Sequence, residues 1–418
     1  MTKMFMAKTS KASTDSVAID ELLTRGVAEV YPSCEALAAV LQSGKKLRIY
    51  NGIDPTAATL HIGHLASLQK LRQLQGLGHE VIMLIGDFTG MIGDPSGKSA
   101  TRKQLTREQV DENAKRYEEQ ASSVLAFAGK GAATIRRNSE WWDEMPAKRF
   151  LEILSLTTTQ RLLERDMFQE RLKKGEPVGA HELLYPALQG YDSVAMDVDV
   201  EIGGSDQTFN MLMGREYVKK MQQREKFVIT VPLLADASGK KIGKSEGNMV
   251  ELGADPENLF GQAMALPDGV IAACFAQCTA VSLAKVVDVR ERLAKGENPR
   301  DLKMELSNEF VRMRYGMEAA DRAQATFVNT FQKHETPEEV PVKSLKELRL
   351  GSPVPLSTLL VRAGLASSSS DARRLIKQGG VKIDGQPFRV ADAIFNFKDH
   401  PRGILIQKGK RYFVSIIS

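Results

Sequence analysis

Apolar and polar positions alternate in two distinct rhythms through the first half of the chain. A short apolar run, Leu47 to Tyr50, stops at Gly52, as expected of a buried strand entering a tight loop. Leucines then recur at 65, 68, 71 and 74, a helical spacing, and Gly76 or Gly78 closes the pattern. EVIMLIGD follows without a polar break and predicts a second buried strand. Strand, glycine turn, helix and parallel strand make a βαβ unit, so the first half predicts an open, Rossmann-like α/β parallel sheet.

From Thr106 to about Gln160 the pattern is charged and mostly helical. VDVEIGGSDQ predicts another buried strand, leading into a helix from Gln207 to Met221, and FVITVPLL a last strand. Residues from about Asp255 to Lys333 carry no convincing strand and read as helices. The expected division is a polar, disordered tail over 1–15, a Rossmann-like catalytic domain with a helical insertion over 16–245, a helical region over 246–333, a linker over 334–355 with four prolines, and a small α+β module over 356–418.

Bulk properties narrow this only a little. At 418 residues, with 42% hydrophobic and 26% charged content, the chain exceeds one core and has the composition of a globular protein. No apolar run approaches a membrane span, and the Ser/Thr-rich start lacks the apolar stretch of a secretory signal. The 3 cysteines, Cys34, Cys274 and Cys278, form no CxxC pair, which argues against a disulfide framework or structural zinc and suits a reducing cytoplasm. A net charge of +5 permits a nucleic-acid partner without demanding one.

Candidate chemistry starts at GIDPTAATLHIGHL, Gly52 to Leu65, where His61 and His64 stand three apart. Metal ligation fits poorly, because the spacing is not the i, i+4 of a helical zinc pair. Nucleophilic catalysis lacks a Ser or Cys elbow. A phosphate site fits best: the turn lies at a strand's carboxyl end and opens a helix, where free N–H groups and the dipole favour anions. Two capping or surface histidines are the bland reading of either residue alone. After the last strand comes a Lys/Gly loop, ASGKKIGKSEGN, with Lys241, Lys244 and Ser245.

HIGH after GIDPT resembles the first signature of class I aminoacyl-tRNA synthetases, and KIGKS the second, KMSKS, with both lysines and the hydroxyl kept. YNGIDPT, IGDFTGMIGDPSGKSATR, ELLYPALQGYDSV and EIGGSDQTFNMLMGRE together resemble the bacterial tyrosyl-tRNA synthetase family over nearly the whole chain. Tyr185, Gln189 and Asp192, at i, i+4 and i+7, share one helix face. The resemblance implies that Asp192 and Tyr50 bind a phenolic hydroxyl, and that Asp94, Tyr185 and Gln189 hold an ammonium group. It places His61, Thr56, Lys98, Arg102, Lys241 and Lys244 on the departing pyrophosphate, with Ser245 assisting. Gly52, Gly63 and His64 would line the ATP site, Gly204 and Asp206 would reach the ribose, and Asp54 and Gln207 would sit near the carboxyl and α-phosphate. Substrates would be L-tyrosine, ATP with Mg2+, and tRNA(Tyr), with no resident metal. A carboxylate paired to a phenol is poorly satisfied by phenylalanine, and nothing between the signatures is long enough for an editing domain.

PLSTLLVRAGLASSSSDARRLIKQGGVKIDGQPF resembles an S4 RNA-binding domain, with Ser370 or Asp371 expected to cap a helix bearing Arg373, Arg374 and Lys377. Family members are homodimers, so a homodimer is expected, with the helical region contributing anticodon recognition. Two rivals share parts of this picture, and a third, a small nucleotidyltransferase, also uses a His-x-Gly-His turn but leaves the second half and the RNA module unexplained. A tryptophanyl-tRNA synthetase shares fold and signatures but not the S4-like tail. A catalytically inactive RNA-binding or splicing factor would not need intact signatures.

Overall fold

The computed structural model describes residues 11–96, 104–235, 242, 249–331, 340–401, 403–409 and 412–418. These fall into two compact units, Met1–Gly316 and Met317–Ser418.

In the first unit, six strands lie in the order β1-β6-β5-β2-β3-β4. They are β1 (Glu29–Tyr31), β2 (Arg48–Ile53), β3 (Glu80–Ile85), β4 (Thr134–Arg137), β5 (Val200–Gly204) and β6 (Phe227–Val231). All neighbours pair in parallel except β1, which runs antiparallel along β6. The chain builds outward from β2 through β3 to β4, then returns to the other side of β2 for β5 and β6. The strand order therefore reverses between β2 and β5, and a crevice opens at their carboxyl ends. The sequence did not announce β1 or β4. Each is short and lies at an edge, and TIRR in β4 carries the charge that discourages further pairing.

The helix Ile62–Gly76 buries Leu65, Leu68, Leu71 and Leu74 as predicted, and also Ser67, Gln69 and Lys70. It is covered on nearly all sides. Part of that cover is the helix Ile271–Cys278: Cys278 Sγ donates to Ile62 O at 3.5 Å, and Gln69 Nε2 donates to Cys278 O at 3.4 Å. Arg25 donates to the carbonyls of Phe275, Ala276, Thr279 and Val281, satisfying the end of that helix. The helical region expected to stand apart from 246 is thus part of the first unit as far as Gly316. Cys274 and Cys278 are free, buried core residues.

Two further boundaries need correction. Residues 11–15, expected in the disordered tail, are placed: Ser13 N donates to Leu77 O at 2.7 Å, and Asp15 caps the helix Ser16–Thr24. Residues 342–355, expected in the linker, belong to the second unit's own sheets. There β7 (Val342–Ser344) pairs parallel with β13 (Tyr412–Ile417), and β8 (Val354–Pro355) pairs with β11 (Ile394–Phe395). Leu345, Leu348 and Val354 are buried in the core they share with Ile376, Ile406 and Ile416. Prolines and charges suggested a linker because apolar residues in this stretch are sparse. Three of those few, Leu345, Leu348 and Val354, nevertheless point inward, while Val342 stays exposed.

The rest of the second unit is β9 (Val381–Ile383), β10 (Gln386–Phe388) and β12 (Ile404–Lys408), giving a five-stranded sheet β10-β9-β12-β13-β7, with helices Leu356–Arg362 and Ser369–Lys377. The cap of the second helix is Ser368, whose hydroxyl accepts from Asp371 N, and not Ser370 or Asp371. Asp371 instead accepts from the Ser367 N–H and hydroxyl, each at 3.1 Å. No single helix among the described residues is long and apolar enough to cross a membrane.

Candidate active site

A cavity of about 330 Å³ occupies the crevice at the strand-order reversal. The end of β2 supplies Tyr50, Gly52, Asp54 and Thr56; the following turn supplies His61, Gly63 and His64. The helix Ala180–Ala195 presents Tyr185, Gln189 and Asp192 from one face, as their spacing predicted. Asp94, Gly204, Asp206 and Gln207 complete the expected set. Every described candidate of the first unit lines this one cavity. Lys98, Arg102, Lys241, Lys244 and Ser245 lie outside the described residues. Described residues before, within and after the lysine loop do reach the site. Leu234 and Ile242 line the cavity, and Ile62 N donates to Val250 O at 3.0 Å beside the histidine turn.

The histidines cap the helix they open. His61 Nδ1 accepts from Gly63 N at 3.1 Å, and His64 Nδ1 accepts from His61 N at 3.1 Å, a reciprocal capping box. This arrangement fixes the tautomer: a ring nitrogen that accepts carries no proton, so in the neutral ring the proton sits on Nε2. Burial, followed by the neighbouring His61, pushes the His64 imidazole well below its ordinary range, so His64 is neutral at physiological pH. Capping and donation are therefore compatible, since each uses a different nitrogen. The imidazoles sit 4.0 Å apart, centre to centre. Gly63 makes room for them: a Cβ there would stand 2.9 Å from His61 Cε1.

At the opposite end Asp192 is 2% exposed. Its Oδ1 accepts from the indole N–H groups of Trp141 and Trp142, both at 2.9 Å, and its Oδ2 from Asn138 Nδ2 at 3.3 Å. These donors favour the charged form, but burial outweighs them and pushes the carboxyl up to about 8. Tyr50, fully buried, shares a hydrogen bond with Ser193 Oγ at 3.0 Å, and burial holds its hydroxyl well above the usual range. The resemblance paired Tyr50 with Asp192 on one phenol; within this chain Tyr50 is tied to Ser193.

Between the two ends, Tyr185 donates to Asp54 Oδ2 at 2.8 Å and Thr89 Oγ1 to Asp54 Oδ1 at 2.7 Å. Gly86 admits that carboxylate, since a Cβ there would fall 2.0 Å from Asp54 Oδ1. Asp94 accepts from Ser96 N at 3.0 Å, Ser96 Oγ at 2.7 Å and Gln207 Nε2 at 2.7 Å. Gln189 Nε2 donates to Glu201 Oε1 at 3.1 Å.

Sequence reasoning missed Thr89, Asn138, Trp141, Trp142, Ser193, Glu201 and Lys226. Some left a trace. Trp141 and Trp142 are the chain's 2 tryptophans and adjoin, and Glu201 interrupts an otherwise apolar strand. Asn138 and Thr89 left none, because their roles come from contacts across the fold.

In the second unit, Arg373, Arg374 and Lys377 sit on the exposed side of the helix Ser369–Lys377. Arg373 pairs with Asp392 at 3.2 Å and Arg374 with Asp371 at 2.6 Å. Solvent-exposed pairs like these are weak and can be exchanged for other anions.

Comparisons with known proteins point to one family. The family model for class I tRNA synthetases (W and Y) matches residues 42–332, and the S4 domain model residues 354–393. Tyrosine–tRNA ligase from Moorella thermoacetica is 42% identical over 400 residues, covering 94% of each chain. Tyrosine–tRNA ligase 2 from Vibrio cholerae is 43% identical over 373 residues, 89% of this chain and 92% of its own. A C-terminally truncated mitochondrial tyrosyl-tRNA synthetase from Coccidioides posadasii superposes with a TM-score of 0.61 at 26% identity, covering 74% of this chain and 91% of that one. With a cavity at the strand-order reversal, a histidine turn at one end and a buried aspartate at the other, the chain belongs to the tyrosine–tRNA ligase family of class I tRNA synthetases, with an S4 domain in its second unit.

Proposed function

We propose that this chain activates L-tyrosine with Mg-ATP and transfers it to the 3′ end of tRNA(Tyr). The observation that carries this reading is Asp192: a buried aspartate lining a cavity that also holds a phosphate-type helix turn. In the first step the tyrosine carboxylate attacks the α-phosphate in line, forming tyrosyl-adenylate and releasing pyrophosphate. In the second, a terminal ribose hydroxyl of the tRNA takes the tyrosyl group. No covalent enzyme intermediate is needed, so positioning and charge stabilisation do the work.

On this reading the phenol enters the buried end, its O–H directed to Asp192 with Tyr50 beside it. Asp94, Tyr185 and Gln189 receive the ammonium group. His61 and His64 donate from Nε2 toward phosphate oxygens, where charge develops as the pyrophosphate leaves. Thr56, Lys98, Arg102, Lys241 and Lys244 share that charge, with Ser245 assisting. Gly52 and Gly63 border the nucleotide, Gly204 and Asp206 take the ribose, and Asp54 and Gln207 stand near the reacting carboxyl. Mg2+ enters with ATP as part of the substrate.

Arg373, Arg374 and Lys377 grip tRNA phosphates, and the helices after Glu246 approach the anticodon. We also infer a homodimer, supported by exposed Leu151 and Leu172, and a cytoplasmic setting, supported by three free thiols. Amino-acid-dependent ATP–pyrophosphate exchange, run with each of the twenty amino acids and no tRNA, tests the central step. Exchange with tyrosine alone is expected. Exchange with tryptophan would overturn the pocket assignment, and none at all would leave the RNA-binding unit as the functional part.

A further inference from the structure

Along one wall of the cavity, with Glu201 among its lining residues, lies a polar cluster to which no role has yet been given. Glu201 on β5 and Lys226, just before β6, are 2% and 0% exposed and form an ion pair. Burying two charges costs desolvation that their attraction repays only in part, and apolar residues of similar volume often serve stability as well. The pair is better understood from its hydrogen bonds. Glu201 Oε2 accepts from Lys226 Nζ and, at 3.4 Å, from the Ser193 hydroxyl, which also bonds Tyr50. Glu201 Oε1 accepts from Gln189 Nε2 at 3.1 Å. Lys226 is fixed in turn by Met211 O at 3.2 Å. The fit is close: a Cβ on Gly214 would stand 2.6 Å from Lys226 Nζ and 2.7 Å from Ser193 Oγ.

A carboxylate paired with a lysine can only accept. The Gln189 amide must therefore turn its nitrogen to Glu201, which leaves its oxygen as the atom it offers to the cavity. We propose that Glu201, paired with Lys226, is a positioning residue that sets the Gln189 amide so that it presents an acceptor to the ammonium group of the amino-acid substrate. This inference rests on the reading that tyrosine occupies the cavity with its ammonium near Gln189. Selectivity for an α-amino acid over its desamino analogue then depends on a residue that acts through Gln189.

In Glu201→Gln, Lys226 claims the new amide oxygen and the new amide nitrogen turns toward Gln189. Gln189 must then accept, and it offers its own N–H2 to a cation. The test is calorimetric binding of L-tyrosine, and of 3-(4-hydroxyphenyl)propionate, which lacks the ammonium, to the full chain and the variant. Tyrosine should bind about tenfold to a hundredfold more weakly to the variant, while the desamino analogue changes by less than about threefold. Parallel loss of both ligands, or loss of neither, overturns the positioning role. Glu201→Gln combined with Lys226→Met holds no lone buried charge and guards against a folding failure. Here the amide oxygen is free for Gln189, so the ratio of the two affinities should return to within about threefold of the parent's. A ratio that stays at the single variant's value also overturns it. Absence of tyrosine binding to the parent chain would instead overturn the underlying reading.

Discussion

At its buried end the cavity is built from side chains that hold one another: two indoles and an amide on Asp192, Ser193 on Tyr50, Lys226 and Gln189 on Glu201. At its other end the working parts are a backbone turn and two half-buried imidazoles that cap their own helix. The first arrangement is preorganised by contacts between distant segments, and on the proposed reading it discriminates by leaving buried groups unsatisfied when the wrong ligand enters. The second is local, needs only a strand, a turn and a helix, and on the proposed reading takes a phosphate chain whatever the amino acid. One end would select the amino acid while the other performs chemistry common to all of them.

The largest break in this contrast should come from Asp192→Ala. On the proposed reading it removes the acceptor for the substrate phenol, and it leaves the Trp141, Trp142 and Asn138 donors without Asp192 as a partner. Calorimetry should show tyrosine binding weakened by more than about a hundredfold, with ATP binding within about threefold of the parent. Near-normal tyrosine binding would remove Asp192 from the pocket. His61→Ala should act oppositely. The kcat of pyrophosphate exchange should fall by about a hundredfold while the KM for tyrosine stays within about threefold, the pattern of a group that acts chiefly in the transition state. A purely structural cap would instead lower thermal stability and leave kcat alone.

A smaller effect concerns protons. Asp192 in the folded chain keeps its proton up to about pH 8, whereas an unfolded aspartate loses it near about 4. The folded state therefore binds more protons between these values, and this group's contribution to stability is whole below about pH 4 and is lost as the pH rises to about 8. Asp192→Asn does not titrate. Its Tm relative to the parent should rise steadily from pH 5 to pH 8 on a thermal scan, and a difference that stays flat would contradict the buried, proton-holding carboxyl.

The turn end was legible in the sequence because its parts are contiguous: strand, GIDPT, HIGH and leucine-spaced helix all lie within one short stretch. Tyr185, Gln189 and Asp192 were legible for a similar reason, since helical periodicity alone puts them on one face. The buried end was only half legible. Asn138 is an ordinary polar residue in a charged stretch and Thr89 one in the glycine-rich turn after β3, and only the parallel pairing of β4 beside β3 brings Asn138 over Asp192. Glu201 and Lys226 lie 25 positions apart and meet because β5 and β6 are neighbours. The linker expectation failed on the same ground: Leu345, Leu348 and Val354 gain meaning only from the sheet they help to cover.

The most direct test of the division of labour is the ratio of kcat/KM for tyrosine over phenylalanine in pyrophosphate exchange, compared between the parent and Asp192→Asn. If the buried end selects the phenol, the variant loses tyrosine exchange by about a hundredfold or more while phenylalanine exchange barely moves, and the ratio collapses. A ratio preserved in the variant would contradict the account and place discrimination elsewhere in the molecule.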